Sequence, residues 1–362
     1  MANGKVLDPV WCPEARSPSG RPGSGRVGRG AILSAALFLS FGCSGGDDGA
    51  AASGGESGNA TTSGDEGAYV PTADPFARGY TEDHFPRLKE LAEGVYSYEQ
   101  LRSAGDELFT TVSMFVVTEE GVLVADGQGS VEETALLVST IAEITDQPIR
   151  HVVVSSDHGD HTGGNNAFPE GVEYWAHPTS DATLRQAAAN RDPSSETPPI
   201  PLPTRLVDDR ETIELGGRTI ELLFLGRAHT GGDLLVHLPD EKILFMSETY
   251  LHRVFPAMRT AHPTEWAEML RAAEAMDVET YVPGHGFVDS PEILARELTV
   301  YREAVEAVIA EARRLHEAGV PLEQAMDEAE FGELESWSLR ESQGARAIQQ
   351  VYAELNGELG GS

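Results

Sequence analysis

The chain reads as a mixed α/β fold with a helical C-terminal tail. Short apolar runs rich in β-branched residues recur up to about residue 286, and segments with apolar residues at helical spacing alternate with them. Several of the apolar runs end in a histidine or a carboxylate, the placement by which α/β folds gather a site from loops.

The first 29 residues are rich in Gly, Pro, Ser and Arg and do not read as folded. Gly30 to Phe41 is an apolar run too short to span a bilayer comfortably. With Arg26 and Arg29 before it, it reads as a secretory signal, giving a signal region over residues 1–42. Leu39-Ser40-Phe41-Gly42-Cys43 resembles a bacterial lipobox, except that Phe41 is not the usual small or aliphatic residue. That resemblance implies a lipid-modified Cys43 and an exported protein anchored to the cell envelope, facing the periplasm or the exterior. Ser44 to Glu66 is almost entirely Gly, Ser, Ala, Thr, Asn, Asp and Glu, and cannot bury enough apolar surface to fold. Residues 43–75 are therefore expected to be a disordered linker, a flexible tether. The other cysteine, Cys12, lies in the part that would be removed, which leaves the mature domain without a disulfide or a Cys metal ligand.

The folded domain is expected over residues 76–289. Gly94 to Tyr98, Thr111 to Val117 and Gly121 to Gly127 read as early strands. Glu132 to Ile144 has helical spacing, with Leu136, Leu137, Ile141 and Ile144 assigned to one face. Pro148 to Val154 is a strand that runs into Ser155-Ser156-Asp157-His158-Gly159-Asp160-His161-Thr162-Gly163-Gly164. After a proline-rich loop come Leu222 to Gly226 with His229 in its following loop, Lys242 to Met246 ending at Ser247-Glu248, and Tyr281 to Gly286 with His285 in its turn. A helix is expected from Pro263 to about Met276, with Thr264 as its cap. Residues 290–362 form a helical extension, with helices over Pro291 to Ala318 and Gln343 to Leu355.

Imidazole and carboxylate are good ligands for zinc and related divalent metals. The order and context of these segments resemble the metallo-β-lactamase-fold hydrolases, over roughly Leu91 to Asp289. That family has His-x-His-x-Asp-His, then a lone His in a Gly-x-x-His-Thr-x-Gly setting, an acidic residue after a strand, and a His in a Pro-Gly-His turn. The resemblance implies a four-layer αββα sandwich with metals at one edge. It implies that His158 and His229 bind the first metal, that Asp160, His161 and His285 bind the second, and that Glu248 bridges them. Two positions depart from the pattern: Ser156 stands where the first histidine is expected, and Glu248 where aspartate is commoner. A serine hydroxyl is a poor zinc ligand, so the first site is expected to be weakened. Asp157 is a candidate substitute.

The resemblance implies a metallohydrolase holding one or two Zn ions, with Fe or Mn also compatible. It would use a metal-bound hydroxide on an ester, thioester, lactone, amide or similar small substrate, with Asp160 as the catalytic residue. The alternatives are a β-lactamase, or a non-catalytic metal-binding module on the same fold. No Gly-x-Ser-x-Gly elbow, Walker loop or Rossmann fingerprint competes. From Cys43 onward 21 Lys or Arg face 57 Asp or Glu, a balance of −36 that repels nucleic acid and anionic lipid. Tyr250, His252 and Arg227 are near the ligands in sequence, but ordinary loop roles are the expectation for them. His237 is expected to be a partly exposed strand residue.

Overall fold

The computed structural model of the chain describes residues 69–192, 194 and 199–360. The expected signal region, Cys43 and most of the expected linker lie outside the described residues. Ala73, inside the stretch read as a tether, is fully buried against the core.

Among the described residues twelve strands form one curled sheet. They are β1 (Arg87–Ala92), β2 (Val95–Ala104), β3 (Glu107–Thr118), β4 (Gly121–Ala125), β5 (Ile149–Val153), β6 (Glu173–Ala176), β7 (Arg205–Leu206), β8 (Arg210–Leu215), β9 (Arg218–Leu223), β10 (Leu235–Leu238), β11 (Ile243–Leu251) and β12 (Thr280–His285). Their order is β7-β6-β5-β4-β3-β12-β11-β10-β9-β8, with β2 also on β3 and β1 on β2. Strand β3 joins the two halves through β12, where His285 lies opposite Thr111 in the ladder. The helices are α1 (Val131–Ile144), α2 (Gly159–Thr162), α3 (Pro178–Ala189), α4 (Pro263–Glu274), α5 (Pro291–Glu317), α6 (Leu322–Glu328) and α7 (Arg340–Leu355).

The period-2 alternation of a strand explains the layering. On β3, Val112, Met114 and Val116 point into a core shared with Ile220, Leu222, Val236 and Leu244 of the other half. Phe115, between them, points the opposite way, into a second core with Leu137 and Ile141 of α1. Strand β4 divides likewise, Leu123 and Ala125 inward and Val122 and Val124 toward α1. Trp266 and Leu270 of α4, and Leu298 and Tyr301 of α5, cover the far side. The order helix, sheet, sheet, helix is the expected one.

Several elements differ from the sequence reading. Leu136 is 42% exposed while Leu137 is fully buried, because adjacent helical residues point about 100° apart. His262 is the residue preceding α4 at its N-terminus, Pro263 is its first residue, and Thr264 instead donates through Oγ1 to Glu354 at 2.7 Å. Strand β11 does not stop at Met246 but continues through Glu248 to Leu251. The C-terminal extension packs on the domain through the main core, which includes Leu298, Tyr301, Ile348 and Val351. Phe331, between its helices, packs edge-on against Phe255, with centroids 5.0 Å apart, and the Phe255 N–H donates to the Ser338 carbonyl at 2.9 Å.

Truncating Leu137 to Ala leaves a cavity between α1 and the sheet and should cost about 2–5 kcal/mol in denaturant unfolding. Leu136→Ala, on the solvent side, should stay within about 0.5 kcal/mol. Equal losses for the two would contradict this division of the helix.

Candidate metal centre

Two donor groups assemble where the halves of the sheet meet. Asp160, His161, Glu248 and His285 form one, all buried. His158, His229 and Glu248 form the other. All six residues named from the sequence come together, and Glu248 belongs to both groups.

Local structure explains the convergence. After β5 the chain makes a single helical turn, α2, with His158 at its N-cap and Asp160 and His161 inside it. The glycines after it have a packing role: a Cβ on Gly164 would overlap the Ser130 carbonyl and the Thr134 hydroxyl, so they let α2 lie against the start of α1. Glu248 sits within β11, which bends there. Ser247 has a left-handed φ of 48°, and the β11–β12 register shifts on both sides of it. Gly284 lets β12 approach that bend, since a Cβ there would overlap the Ser247 backbone. His285 is the last residue of β12.

The donor atoms face one another closely. His158 Nδ1 lies 3.1 Å from His229 Nε2, and His161 Nε2 lies 3.4 Å from His285 Nε2. Glu248 Oε1 is 3.2 Å from His229 Nε2 and 3.3 Å from His285 Nε2, while its Oε2 is 2.9 Å from His158 Nδ1. Asp160 Oδ2 is 3.3 Å from His285 Nε2. These separations match the edge of about 3.3 Å expected between ligands of a tetrahedral ion with bonds near 2.0–2.1 Å. The donor set and spacing therefore fit a divalent cation of the zinc type.

The Nδ1 atoms of His285 and His161 turn away from the cluster, and that of His285 is hydrogen-bonded. His285 Nδ1 donates to the Thr110 carbonyl at 2.8 Å, so its Nε2 is the atom left to bind. His161 Nδ1 lies 3.0 Å from Asp126 Oδ2. Asp126 is fully buried, accepts from the Ser155 N–H at 2.7 Å, and also accepts from the Ser247 hydroxyl. It thus ties the loops carrying both groups together, as partners behind metal ligands do. Trp266 packs edge-on against His229, with centroids 5.3 Å apart. Sequence reasoning missed Asp126 and Trp266. The signal for Asp126 was present: it is a carboxylate at the end of an apolar strand, like the others.

Burial depresses the basicity of His158 and His285, but the adjacent carboxylates outweigh it and push both up to about 9. Glu248 goes the other way: burial raises it, and the imidazoles of His229 and His158 hold it well below the usual range. Protons on these imidazoles thus compete with a cation below about pH 9, so uptake strengthens as pH rises.

Ser156 donates to Glu248 Oε2 at 2.5 Å and is buried. Asp157 joins neither group, and burial raises its carboxyl to about 6. Tyr250 is buried and donates to the Leu294 carbonyl, His252 lies against the Phe287 carbonyl, and Arg227 pairs with Glu265. Tyr250 lies within β11 rather than in a loop. His237 is buried and bonds Glu221 at 2.8 Å, which corrects its reading as partly exposed.

Residues 106–285 match the Metallo-beta-lactamase superfamily. The chain is 25% identical over 191 residues to the 2,4-dinitroanisole O-demethylase subunit alpha of Nocardioides sp. (strain JS1661), covering 51% of this chain and 54% of that protein. It thus spans just over half the length of that relative. It is 22% identical over 227 residues to the metallo-beta-lactamase type 2 of Bacteroides fragilis, covering 61% and 87% of the two chains. Among solved structures, a metallo-beta-lactamase from Pontibacter korlensis superposes with a TM-score of 0.52 at 21% identity, over 60% of this chain and 98% of that one.

Asn tolerates left-handed backbone, and Asp126 has φ 61°, so Asp126→Asn removes the charge behind His161 without backbone strain. Zinc affinity, measured by competition with a chelating dye, should fall about 10–100-fold. An unchanged affinity would remove Asp126 from the centre.

Proposed function

We propose that this chain, whose residues 106–285 form a domain of the metallo-β-lactamase superfamily, is a zinc-dependent hydrolase of small esters, thioesters, lactones or amides. The observation that carries the reading is one carboxylate, Glu248, within 3.3 Å of imidazole nitrogens in both donor groups. When bound, the ion supplies Lewis acidity toward a carbonyl and lowers the pKa of water to roughly 7.

The residues of the chain have separable parts in this proposal. His161, His285, Asp160 and Glu248 hold the tighter ion, being four buried donors. His158 and His229, with Glu248, hold a weaker one. Asp160, between the ligand histidines His158 and His161, would also orient the attacking water. Against burial and the neighbouring Glu248, the hydrogen bond to His285 and the charge of His161, then Arg102 with its Nε 3.5 Å from Asp160 Oδ2, keep that carboxylate charged.

The two departures from the family pattern form one arrangement in this reading. Glutamate is one methylene longer than aspartate, and its Oε2 reaches His158 and receives the hydroxyl of the small Ser156. An imidazole at 156 would remove the hydroxyl that donates to Glu248 Oε2.

The names of the relatives point to different reactions, O-demethylation and β-lactam turnover, so the substrate is proposed at the level of class. A lipid anchor at Cys43 and a place at the cell envelope belong to the same proposal, supported by the lipobox-like sequence alone. The acidic balance of the chain argues against nucleic acid as substrate.

Purified protein should carry one tightly held equivalent of zinc and take up a second weakly, and should hydrolyse members of a panel of nitrophenyl esters, lactones, thioesters and β-lactams. Asp160→Ala should abolish turnover. Ser156→His alone should weaken uptake of the second ion, and Ser156→His combined with Glu248→Asp should restore it. No metal at any pH, or full activity in Asp160→Ala, would overturn the proposal.

A further inference from the structure

Each carbonyl from the ligand His285 to Asp289 accepts a hydrogen bond from outside that segment. The His252 N–H donates to the His285 carbonyl at 2.9 Å, and the Thr110 hydroxyl of β3 donates to that of Gly286. His252 Nδ1 donates to the Phe287 carbonyl at 2.7 Å. Lys89 Nζ of β1 donates to the Asp289 carbonyl at 2.7 Å and to that of Val288 at 3.4 Å. Gly286 has a φ of 86°, and a Cβ there would overlap the His252 carbonyl, so the turn passes β11 at a distance only glycine allows.

The segment before β1 closes over this turn. Arg78 holds Asp289 with both arms of its guanidinium, Nη2 to Oδ1 at 2.6 Å and Nη1 to Oδ2 at 2.9 Å. The two side chains are only 9% and 15% exposed. The same guanidinium lies 4.3 Å from the centre of the Phe287 ring, and Tyr80 stacks on that ring with centroids 5.2 Å apart. Arg87 covers Tyr80 at 4.4 Å and pairs with the fully buried Glu99 of β2 at 2.7 Å. The segment is itself folded: Asp74 Oδ1 accepts from the Phe76 N–H at 2.8 Å, the Tyr80 N–H donates to the Pro75 carbonyl at 2.9 Å, and Ala73 is buried in the main core. Arg78, Tyr80, Arg87, Phe287 and Asp289 all lie outside residues 106–285, so the flanks of the family domain build this clamp.

We propose that Arg78 is a positioning residue for the metal ligand His285, acting through Asp289, and that residues 70–86 form a strap that belongs to the centre. This rests on reading the donor groups as a metal-binding catalytic centre. The His285 ring is fixed at one end of the turn, where its Nδ1 donates to the Thr110 carbonyl at 2.8 Å. Arg78 fixes the other end, four residues on, through the Asp289 carboxylate. A ligand atom has to be held within about 0.5 Å of its binding position. Removing one partner of a buried ion pair leaves the other uncompensated, so without Arg78 the Asp289 carboxylate is driven toward water and draws the turn with it. The guanidinium fork meets both carboxylate oxygens at once, which sets the orientation of Asp289 as well as its charge.

Zinc affinity of the full chain, measured by competition with a chelating dye, tests this in a double-mutant cycle. Arg78→Met should weaken zinc binding by about tenfold. Arg78→Lys should recover part of the loss, keeping the charge without the fork. In a His285→Ala background, where the ligand is already gone, Arg78→Met should change the affinity by less than about twofold. Cobalt-loaded Arg78→Met should also show a shifted visible spectrum, which reads donor geometry and is not moved by a loss of overall stability alone. Should Arg78→Met fail to fold, Arg78→Lys is carried through the same cycle under the same criteria. Unchanged affinity and spectrum, or an equal loss with and without His285, overturns the strap. Hydrolysis of 4-nitrophenyl acetate is scored in parallel. Turnover by a protein whose zinc affinity is indifferent to Arg78 sinks the strap alone. Zinc binding that depends on Arg78 without turnover of any ester sinks the catalytic reading alone, and a wild type that takes up no zinc sinks both.

Discussion

The buried carboxylate of Glu248 is the constraint on which the rest depends. A charged carboxylate removed from water costs several kcal/mol unless it is paired. Here three imidazoles and the Ser156 hydroxyl surround it. To place it there, β11 bends at Ser247, β12 approaches through Gly284, and Asp126 links the Ser247 hydroxyl to the His161 ring and the backbone after β5. These features lie where β12 meets β3 and the two halves of the sheet join, so the seam of the fold and the site coincide.

The donor set was legible because it is local or repeated. His158, Asp160 and His161 are within four residues, and His285 sits in a Pro-Gly-His turn, so residue type and context suffice. The α/β character and most strands were legible from apolar periodicity. The features that escaped depend on contacts distant in sequence. Asp126 lies 35 residues from the ring it supports, and its role emerges only when β4 and β5 pair in parallel. The outward turn of Leu136 comes from how α1 sits on the sheet, and the extension of β11 beyond Met246 from its pairing with β12. The consequence of Ser156 was hidden for the same reason: it is set by a carboxylate 92 residues away.

The C-terminal helices belong to the same packed body as the centre. Leu298 and Tyr301 of α5 and Ile348 and Val351 of α7 share the main core. The chain is acidic overall, yet it places Arg102 of β2 within 3.5 Å of Asp160 in the donor cluster.

The central claim is that a divalent ion binds where the donor atoms of His161, His285, Asp160 and Glu248 converge. A crystal of the full chain grown with zinc, measured on both sides of the zinc absorption edge, tests it directly. The account predicts an anomalous peak about 2 Å from those four donors, with a weaker one beside His158 and His229. An anomalous map with no peak among these residues, from crystals that hold zinc elsewhere, would contradict it.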